Sequence, residues 1–215
     1  MASEVVLLHL LHSPFATRVR IALAEKEVEF ESREEDLSNK SPLLLKMNPV
    51  NKQIPVLIHK GKPICESLII VEYIDEVWNH KSPLLPSHPY LRAHARFWGD
   101  YIDKKVSNIS FILINYLEAS KKELIEIFKV LEGELGDKPY YGGDTFGFVD
   151  VALIPYYAFF HTFEMLGNFS FEAEFPKLVS WAKRCMQKTS VSKSLCDQHK
   201  VYEVVLELKK KLVVE

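Results

Sequence analysis

A proline-rich segment divides the chain and limits the folds available to it. Residues 81–90 hold three of the eleven prolines, and the hydrophobic pattern differs on either side of them. Because proline fixes φ and has no backbone N–H, such a segment cannot form a regular helix or strand. We therefore predict two domains, residues 1–80 and 91–215, joined by a linker over residues 81–90.

The first domain alternates between strand and helix patterns. Lys60-Gly61 separates two short runs with strand character, as in a hairpin. The alternation predicts a small α/β domain of thioredoxin-like type. Its predicted elements are strand Val5–Leu10, helix Phe15–Lys26, strand Val28–Glu31, strands Pro55–His59 and Lys62–Cys65, and helix Ser67–Trp78.

Beyond the linker, every periodic segment has helical spacing. The predicted fold class is therefore α/β plus all-α, with a thioredoxin-like N-terminal domain and an all-helical C-terminal domain. The five predicted helices are Leu91–Glu118, Ser120–Leu135, Phe148–Leu166, Pro176–Lys188 and Asp197–Leu212.

Charge and hydropathy exclude two classes of partner. The formal net charge is −2, whereas nucleic-acid binding rests on clustered basic residues, so we expect no nucleic-acid partner. The longest apolar run, Val151–Phe160, has half the roughly 20 residues that a membrane span needs, so we expect no membrane insertion.

The cellular compartment follows from the cysteines and the first residues. Three cysteines without a CxxC pair favour a reduced, cytoplasmic protein. The opening residues Met1–Val6 carry no basic region, so we expect no secretory signal. The histidines show no metal-binding spacing, and we predict no metal.

Ser13-Pro14-Phe15 stands where the first strand passes into the first helix. Ser followed by Pro is a common helix start, with Ser as the N-cap, and this structural role is one interpretation. The second is functional, because a helix N-terminus stabilises an anion and a serine hydroxyl can donate a hydrogen bond to it. If that anion is a thiolate, Ser13 lowers the pKa of the thiol without being a nucleophile.

Two further loops contain candidate binding residues. Ile54-Pro55 is a candidate cis peptide, serving either as a structural turn or to leave the Ile54 backbone free to pair with an extended peptide. Ser67 is a candidate N-cap of the next helix. Together with Glu66 it could also hold an amino-acid head group, with Glu66 binding the ammonium.

These loops resemble plant tau-class glutathione transferases, and the resemblance runs essentially end to end. It is carried by Ser13-Pro14-Phe15, by residues 18–26, by Ile54-Pro55-Val56-Leu57 and by the specific string Gly61–Leu68. The second half continues it at residues 96–98, 147–150 and 181–185.

The resemblance implies a role for each loop. Ser13 would bind and activate the glutathione sulfur, and Ile54 would pair with the cysteinyl backbone. Glu66 and Ser67 would hold the γ-glutamyl end, and Lys40 would hold the glycine carboxylate. Arg18 is a candidate for tuning the field at the sulfur, its alternative being a surface or dimer-facing charge.

The resemblance also implies a pocket for a hydrophobic electrophile, formed mostly by the helical domain. Each candidate residue could equally be plain core packing. The candidates are Phe15, Ser107, Phe111, Ile114, Phe159, Val204 and Leu208.

Around Ser13, Leu11-His12 and Ala16-Thr17 depart from the family pattern, and Gln53 departs from it before Ile54-Pro55. Gln53 stands where many members carry a lysine before Ile-Pro. Lys40 would therefore hold the glycine carboxylate alone, and the protein would bind glutathione more weakly. His12 precedes Ser13 and is either a titrating neighbour or an exposed loop histidine.

The leading hypothesis is a cytoplasmic, homodimeric transferase that conjugates glutathione to hydrophobic electrophiles in detoxification and plant stress response, with glutathione peroxidase as a compatible side activity. Glutathione is then a co-substrate, and no cofactor is needed. The alternatives are a ligandin-type carrier of apolar metabolites and a glutathione-dependent isomerase.

Overall fold

The computed structural model describes residues 4–81, 83–108 and 117–213. The chain divides into two compact units, Met1–Leu85 and Pro86–Glu215. Within the described ranges, no helix is long and apolar enough to cross a membrane.

The first unit is built on a four-stranded mixed sheet in the order β2-β1-β3-β4. β1 pairs in parallel with β2 and antiparallel with β3, and every residue of β1 is buried. The strands are β1 Val5–His9, β2 Glu31–Glu34, β3 Val56–His59 and β4 Lys62–Cys65.

The predicted hairpin is confirmed. β3 and β4 pair antiparallel, with His59 opposite Lys62, around a two-residue turn. Lys60 and Gly61 have φ angles of 50° and 76°. A type I′ turn needs positive φ at both central residues, and its twist matches that of the strands it joins.

The predicted position of the second strand is wrong. The sequence predicted a strand over Val28–Glu31, whereas β2 begins only at Glu31. The N–H of Val28 instead donates to the carbonyl of Leu23, closing the turn after the first helix. β2 is a short edge strand with three exposed residues, and edge strands of this kind carry charge rather than an apolar pattern.

Three helices complete the unit: α1 Pro14–Glu25, α2 Pro42–Met47 and α3 Ser67–Val77. α1 and α2 begin alike, with Ser13 or Ser41 as N-cap and proline as the first helical residue. α1 packs against α3, and α2 packs against β3. α2 was not predicted, because six residues are too few to show a helical period.

A buried ion pair ties α1 to α3. The Lys26 ammonium lies 2.7 Å from the Asp75 carboxylate, and both side chains are almost wholly buried. The same carboxylate accepts hydrogen bonds from the backbone N–H groups of Leu84 and Leu85, at 2.8 and 3.0 Å. Asp75 therefore joins the end of α1, the last turn of α3 and the segment that ends the unit.

The second unit is helical. It contains α4 Pro89–Tyr101, a π-helical segment Ile102–Val106, α5 Leu117–Leu135, α6 Phe148–Leu153, a 3₁₀ segment Ile154–Phe159, α7 Phe160–Gly167, α8 Phe171–Glu174, α9 Pro176–Cys185, α10 Thr189–Ser192 and α11 Gln198–Val213.

The predicted helix over Phe148–Leu166 is wrong in its continuity. It is three segments, because Pro155 cannot donate the backbone hydrogen bond that a continuous α-helix needs and a 3₁₀ segment forms there. The short helices α8 and α10 were also missed. The first predicted helix, Leu91–Glu118, falls partly outside the described residues.

Asp150 organises the start of α6. Its carboxylate accepts hydrogen bonds from the N–H groups of Gly147 and Tyr141 and from the indole of Trp181, at 2.9, 3.1 and 2.8 Å. Burial raises the pKa of Asp150 to about 6, against the lowering effect of these hydrogen bonds. The contacts give this acid a structural role.

We predict that Asp75→Ala lowers the free energy of unfolding by about 3–5 kcal/mol, because it leaves the buried Lys26 ammonium without this carboxylate. Equilibrium unfolding in urea measures the change. Asp36→Ala is the control, since Asp36 is an exposed carboxylate in the same unit. A loss for Asp75→Ala no larger than that of the control would contradict the prediction.

Candidate functional site

Ser13 is the N-cap of α1. Its backbone is extended, and its hydroxyl oxygen accepts a hydrogen bond from the N–H of Ala16 at 3.3 Å. Because the oxygen is the acceptor in this contact, the hydroxyl proton remains available to donate to a ligand. The structural and functional interpretations of Ser13 are therefore compatible.

The start of α3 differs from the prediction. Glu66 is the N-cap, with φ of 69°, and Ser67 is the first helical residue, so the prediction of Ser67 as N-cap is wrong. A positive φ at a residue other than glycine costs of the order of 1–3 kcal/mol and is commonest at functional sites. Ser67 is buried, while the carboxylate of Glu66 is exposed.

Arg18 links the second turn of α1 to the first residue of α3. Its guanidinium is fully buried, donates to the hydroxyl oxygen of Ser67 at 3.0 Å, and lies 5.3 Å from the ring centroid of Phe15. The alternative of a surface or dimer-facing charge is therefore wrong. Since arginine only donates, the Ser67 oxygen must accept in this contact, which leaves its proton free to donate elsewhere.

Ile54 lies just before β3, and the Ile54-Pro55 peptide is cis, as the sequence suggested. The preceding loop is held by Asn48, which is buried. Its side-chain amide donates to the carbonyl of Gln53 at 3.0 Å, and its side-chain oxygen accepts from the N–H of Asn51 at 3.1 Å.

Asn51 connects this loop to Glu66. Its side-chain amide donates to the Glu66 carboxylate at 2.7 Å. The sequence analysis missed Asn48 and Asn51 as supports of the site. Asparagine is common in turns because its side chain bonds nearby backbone, and two asparagines in one loop were the available signal.

Lys40 is half-buried and immediately precedes α2. The helix start beside it is fixed by the buried carboxylate of Glu35, which accepts from the hydroxyl and the N–H of Ser41 at 2.7 and 3.2 Å. Ser41 in turn accepts from the N–H of Leu44. Glu35 thus positions the loop from which Lys40 projects, and sequence reasoning missed it.

The predicted electrophile residues have different environments. Phe15 is half-buried, and Phe159 packs with the apolar cluster that contains Val201 and Val205. The hydroxyls of Ser107 and Tyr156 are hydrogen-bonded, and the sequence analysis did not single out Tyr156. Val204 is half-buried, and Leu208 is 52% exposed. Phe111 and Ile114 lie outside the described residues.

The cysteine that precedes Glu66 in the chain is a poor candidate nucleophile. Cys65 is a half-buried free thiol at the end of β4. Burial raises the pKa of the Cys65 thiol, and the neighbouring Glu66 carboxylate raises it further. Among the described residues, no group of three or more His, Cys, Asp or Glu side chains could hold a metal ion.

Comparison with known proteins identifies the family. Residues 3–76 match the family model "Glutathione S-transferase, N-terminal domain", and residues 113–188 match "Glutathione S-transferase, C-terminal domain". Glutathione S-transferase U19 of Arabidopsis thaliana is 60% identical over 219 residues, covering all of both chains. The chain belongs to the glutathione S-transferase family.

Other relatives of this transferase agree. Glutathione S-transferase 3 of Glycine max is 58% identical over 99% of both chains. The crystal structure of rice GST1 in complex with glutathione has a TM-score of 0.94 and 47% identity, over 97% of this chain and 99% of that one. A tau-class glutathione S-transferase from mango has a TM-score of 0.89 and 40% identity, over 97% and 100%.

These findings confirm the predicted tau-class family, the fold class and the classification as a transferase. The roles assigned to individual site residues remain predictions.

We predict that Arg18→Ala raises the KM for glutathione about tenfold and changes kcat less. The reason is that the variant frees the Ser67 hydroxyl to rotate and removes a buried positive charge beside it. Steady-state kinetics with glutathione as the varied substrate measures this. Arg33→Ala, which removes an exposed arginine of the same unit, is the control and should leave KM unchanged. A change confined to kcat would contradict the prediction.

Proposed function

We propose that this transferase joins the sulfur of glutathione to the electrophilic carbon of hydrophobic substrates, with the Ser13 hydroxyl stabilising the thiolate. The observation that carries the proposal is the capping geometry at α1. Ser13 accepts from the N–H of Ala16, so its own hydroxyl proton can donate to an anion bound at this helix N-terminus. The thiol proton passes to solvent, the thiolate sulfur forms a bond to the electrophilic carbon of the substrate, and the bond from that carbon to the leaving group breaks, with its electron pair departing on the leaving group.

The energetics fit this arrangement. A free thiol has a pKa of about 8.5, so only a few per cent is thiolate at neutral pH. Lowering that pKa by about two units requires roughly 2.7 kcal/mol of differential stabilisation. A hydrogen bond to a charged group and a helix N-terminus each contribute about 1–2 kcal/mol, so together they suffice.

The remaining contacts would hold glutathione along its length. Glu66, held by Asn51, would bind the γ-glutamyl ammonium, and Ser67, held by Arg18, would donate to its carboxylate. Ile54 would pair with the cysteinyl part through its backbone. Lys40 would bind the glycine carboxylate without help from residue 53, because a glutamine stands there and its side chain carries no charge.

The helical unit would supply most of the electrophile pocket, from the apolar side chains Phe159, Val204 and Leu208 and the hydroxyl of Ser107. The hydrogen bond between Ser107 and Tyr156 would place a polar group in an otherwise apolar wall. Such a pocket suits a hydrophobic substrate, as in the proposed role in detoxification and stress metabolism. Peroxidase and isomerase reactions would use the same thiolate.

The assembly is proposed to be a cytoplasmic homodimer. Large exposed apolar side chains on one helix of each unit, each helix taken by itself, support an interface between copies. They are Ile69 and Val77 on α3, and Tyr90, Leu91 and Phe97 on α4. Cys65, Cys185 and Cys196 form no disulfide among the described residues, which agrees with a reducing compartment.

We predict that Ser13→Ala lowers kcat/KM for a chlorinated dinitrobenzene about 100-fold, the usual effect of removing one preorganised hydrogen-bond donor. Release of the conjugate, followed by absorbance, measures the rate. Ser170→Ala is a closely matched control, since Ser170 is also an N-cap and accepts from the N–H of Ala173 at 3.4 Å. We expect unchanged turnover in Ser170→Ala. The loss in Ser13→Ala is then due to the missing hydrogen-bond donor to the thiolate and not to the loss of a helix cap.

Two outcomes would contradict the proposal. Equal turnover in wild type and Ser13→Ala would remove Ser13 from the reaction. Binding of an apolar dye to a wild type that turns over no electrophile with glutathione would favour the ligandin-type carrier. Retention of glutathione by Ser13→Ala agrees with the proposal, because residues other than Ser13 would hold the rest of the glutathione molecule.

A further inference from the structure

A second buried polar network lies behind the loop that carries Ser13. His9, the last residue of β1, is 4% exposed, and Arg20, two turns into α1, is 9% exposed. One guanidinium nitrogen of Arg20, Nη1, lies 3.2 Å from His9 Nδ1. On its other side, His9 Nε2 lies 2.6 Å from the hydroxyl oxygen of Ser32 on β2.

Arginine fixes the protonation of this histidine. A guanidinium only donates hydrogen bonds and keeps its charge at any ordinary pH, so His9 Nδ1 must accept with its lone pair. The single ring proton is then on Nε2 and donates to Ser32. The network is complete only while His9 is neutral.

Arg20 also binds the loop between β1 and α1, residues 10–13, which contains Ser13. Nη2 donates to the carbonyl of Leu11 at 2.9 Å and to the hydroxyl oxygen of Thr17 at 2.8 Å. Thr17 in turn donates its hydroxyl proton to the carbonyl of Ser13 at 3.0 Å. The guanidinium therefore links Leu11, in the loop before α1, to Thr17, in the first turns of α1, with Ser13 between them in the sequence.

We propose that neutral His9 is a positioning residue for the transfer reaction, which holds Ser13 through Arg20 and releases it when His9 is protonated. Protonated His9 would carry an N–H at Nδ1 that faces an N–H of Arg20. The hydrogen bond between them would be lost, and two positive charges would lie side by side. Arg20 would then leave Leu11 and Thr17. The inference rests on the proposed role of Ser13.

The groups around His9 act in opposing directions, and their net effect lowers its pKa. Burial lowers the pKa of His9, and the Arg20 charge lowers it further, while the Glu34 carboxylate on β2 and a hydrogen bond with the backbone of Leu10 raise it. β3 contributes His59, which pairs with Val5 at the opposite end of β1. Glu34 also accepts the N–H of Leu11, so it supports the same loop.

The sign of the pH effect follows from this lowered pKa. The unfolded chain binds a proton at its histidine near pH 6.5, whereas the folded chain resists it until a lower pH. Between these two pKa values the unfolded state binds more protons. The free energy of unfolding therefore falls as the pH drops from about 6.5 to the pKa of folded His9. Activity falls with it, because Ser13 loses its support.

The test compares His9→Asn with wild type. Asparagine keeps an acceptor oxygen for Arg20 but cannot be protonated, and His9→Lys imitates the protonated state. The readout is kcat/KM for conjugation of a chlorinated dinitrobenzene between about pH 5 and about pH 8. His12→Asn and His80→Asn are the controls, the first because His12 adjoins Ser13 and the second because His80 is an exposed histidine of the same unit.

We expect wild type to lose activity at acid pH with a two-proton dependence, from the glutathione thiol and from His9. His9→Asn should show a one-proton dependence, and both controls should keep two. His9→Lys should be at least about tenfold less active at every pH. A wild-type profile in His9→Asn, or a one-proton profile in His12→Asn, would overturn the proposal.

A second measurement is independent of glutathione chemistry. Urea unfolding of wild type and His9→Asn at about pH 7 and about pH 5 should show a larger loss of stability on acidification in wild type. Equal losses would overturn the proposal. If no variant conjugates glutathione at any pH, the proposed function fails, while this measurement still decides whether His9 titrates in the network.

Discussion

Three buried cations on one helix hold the first unit together. Arg18, Arg20 and Lys26 all project from α1 or its end into the protein, and none is more than 9% exposed. A buried charge is costly unless it is hydrogen-bonded or paired. Each of the three therefore fixes a different neighbour.

The partners of these cations define the site. Lys26 binds Asp75 and so sets the position of α3 against α1. Arg18 binds Ser67 at the start of α3, and Arg20 binds the strand-to-helix loop at the start of α1. The two helix N-termini that would receive glutathione are thus held by positive charges of the same helix. A net charge of −2 gave no sign of this local arrangement.

Much of the framework could be predicted because it depends on local patterns. Three elements follow from the residues within them alone. They are the apolar strand β1, the turn at Lys60-Gly61 and the Ser-Pro start of α1. β2 could not be predicted from hydropathy, because an exposed edge strand takes its position from pairing with β1. α2 is too short to show a period, and Pro155 divided a segment whose apolar pattern was otherwise continuous.

The candidate site was predictable in its residues but not in their support. Four of the candidate residues lie at the ends of helices or strands, where prolines and helix-capping residues mark the boundary in the sequence. They are Ser13, Ile54, Glu66 and Ser67. No sequence signal separates a buried arginine from an exposed one, so the contacts of Arg18 and Arg20 were not foreseen. The role of Asn51 likewise depends on its distance from Glu66, which only the fold provides.

The central claim is that Ser13 ionises the glutathione thiol, and the pKa of bound glutathione tests it most directly. Ultraviolet absorbance of the thiolate, titrated in the binary complex with wild type and Ser13→Ala, gives both values. The account predicts a wild-type pKa about two units below the free value of about 8.5, and a return toward that value in the variant. Equal pKa values in the two complexes would contradict it.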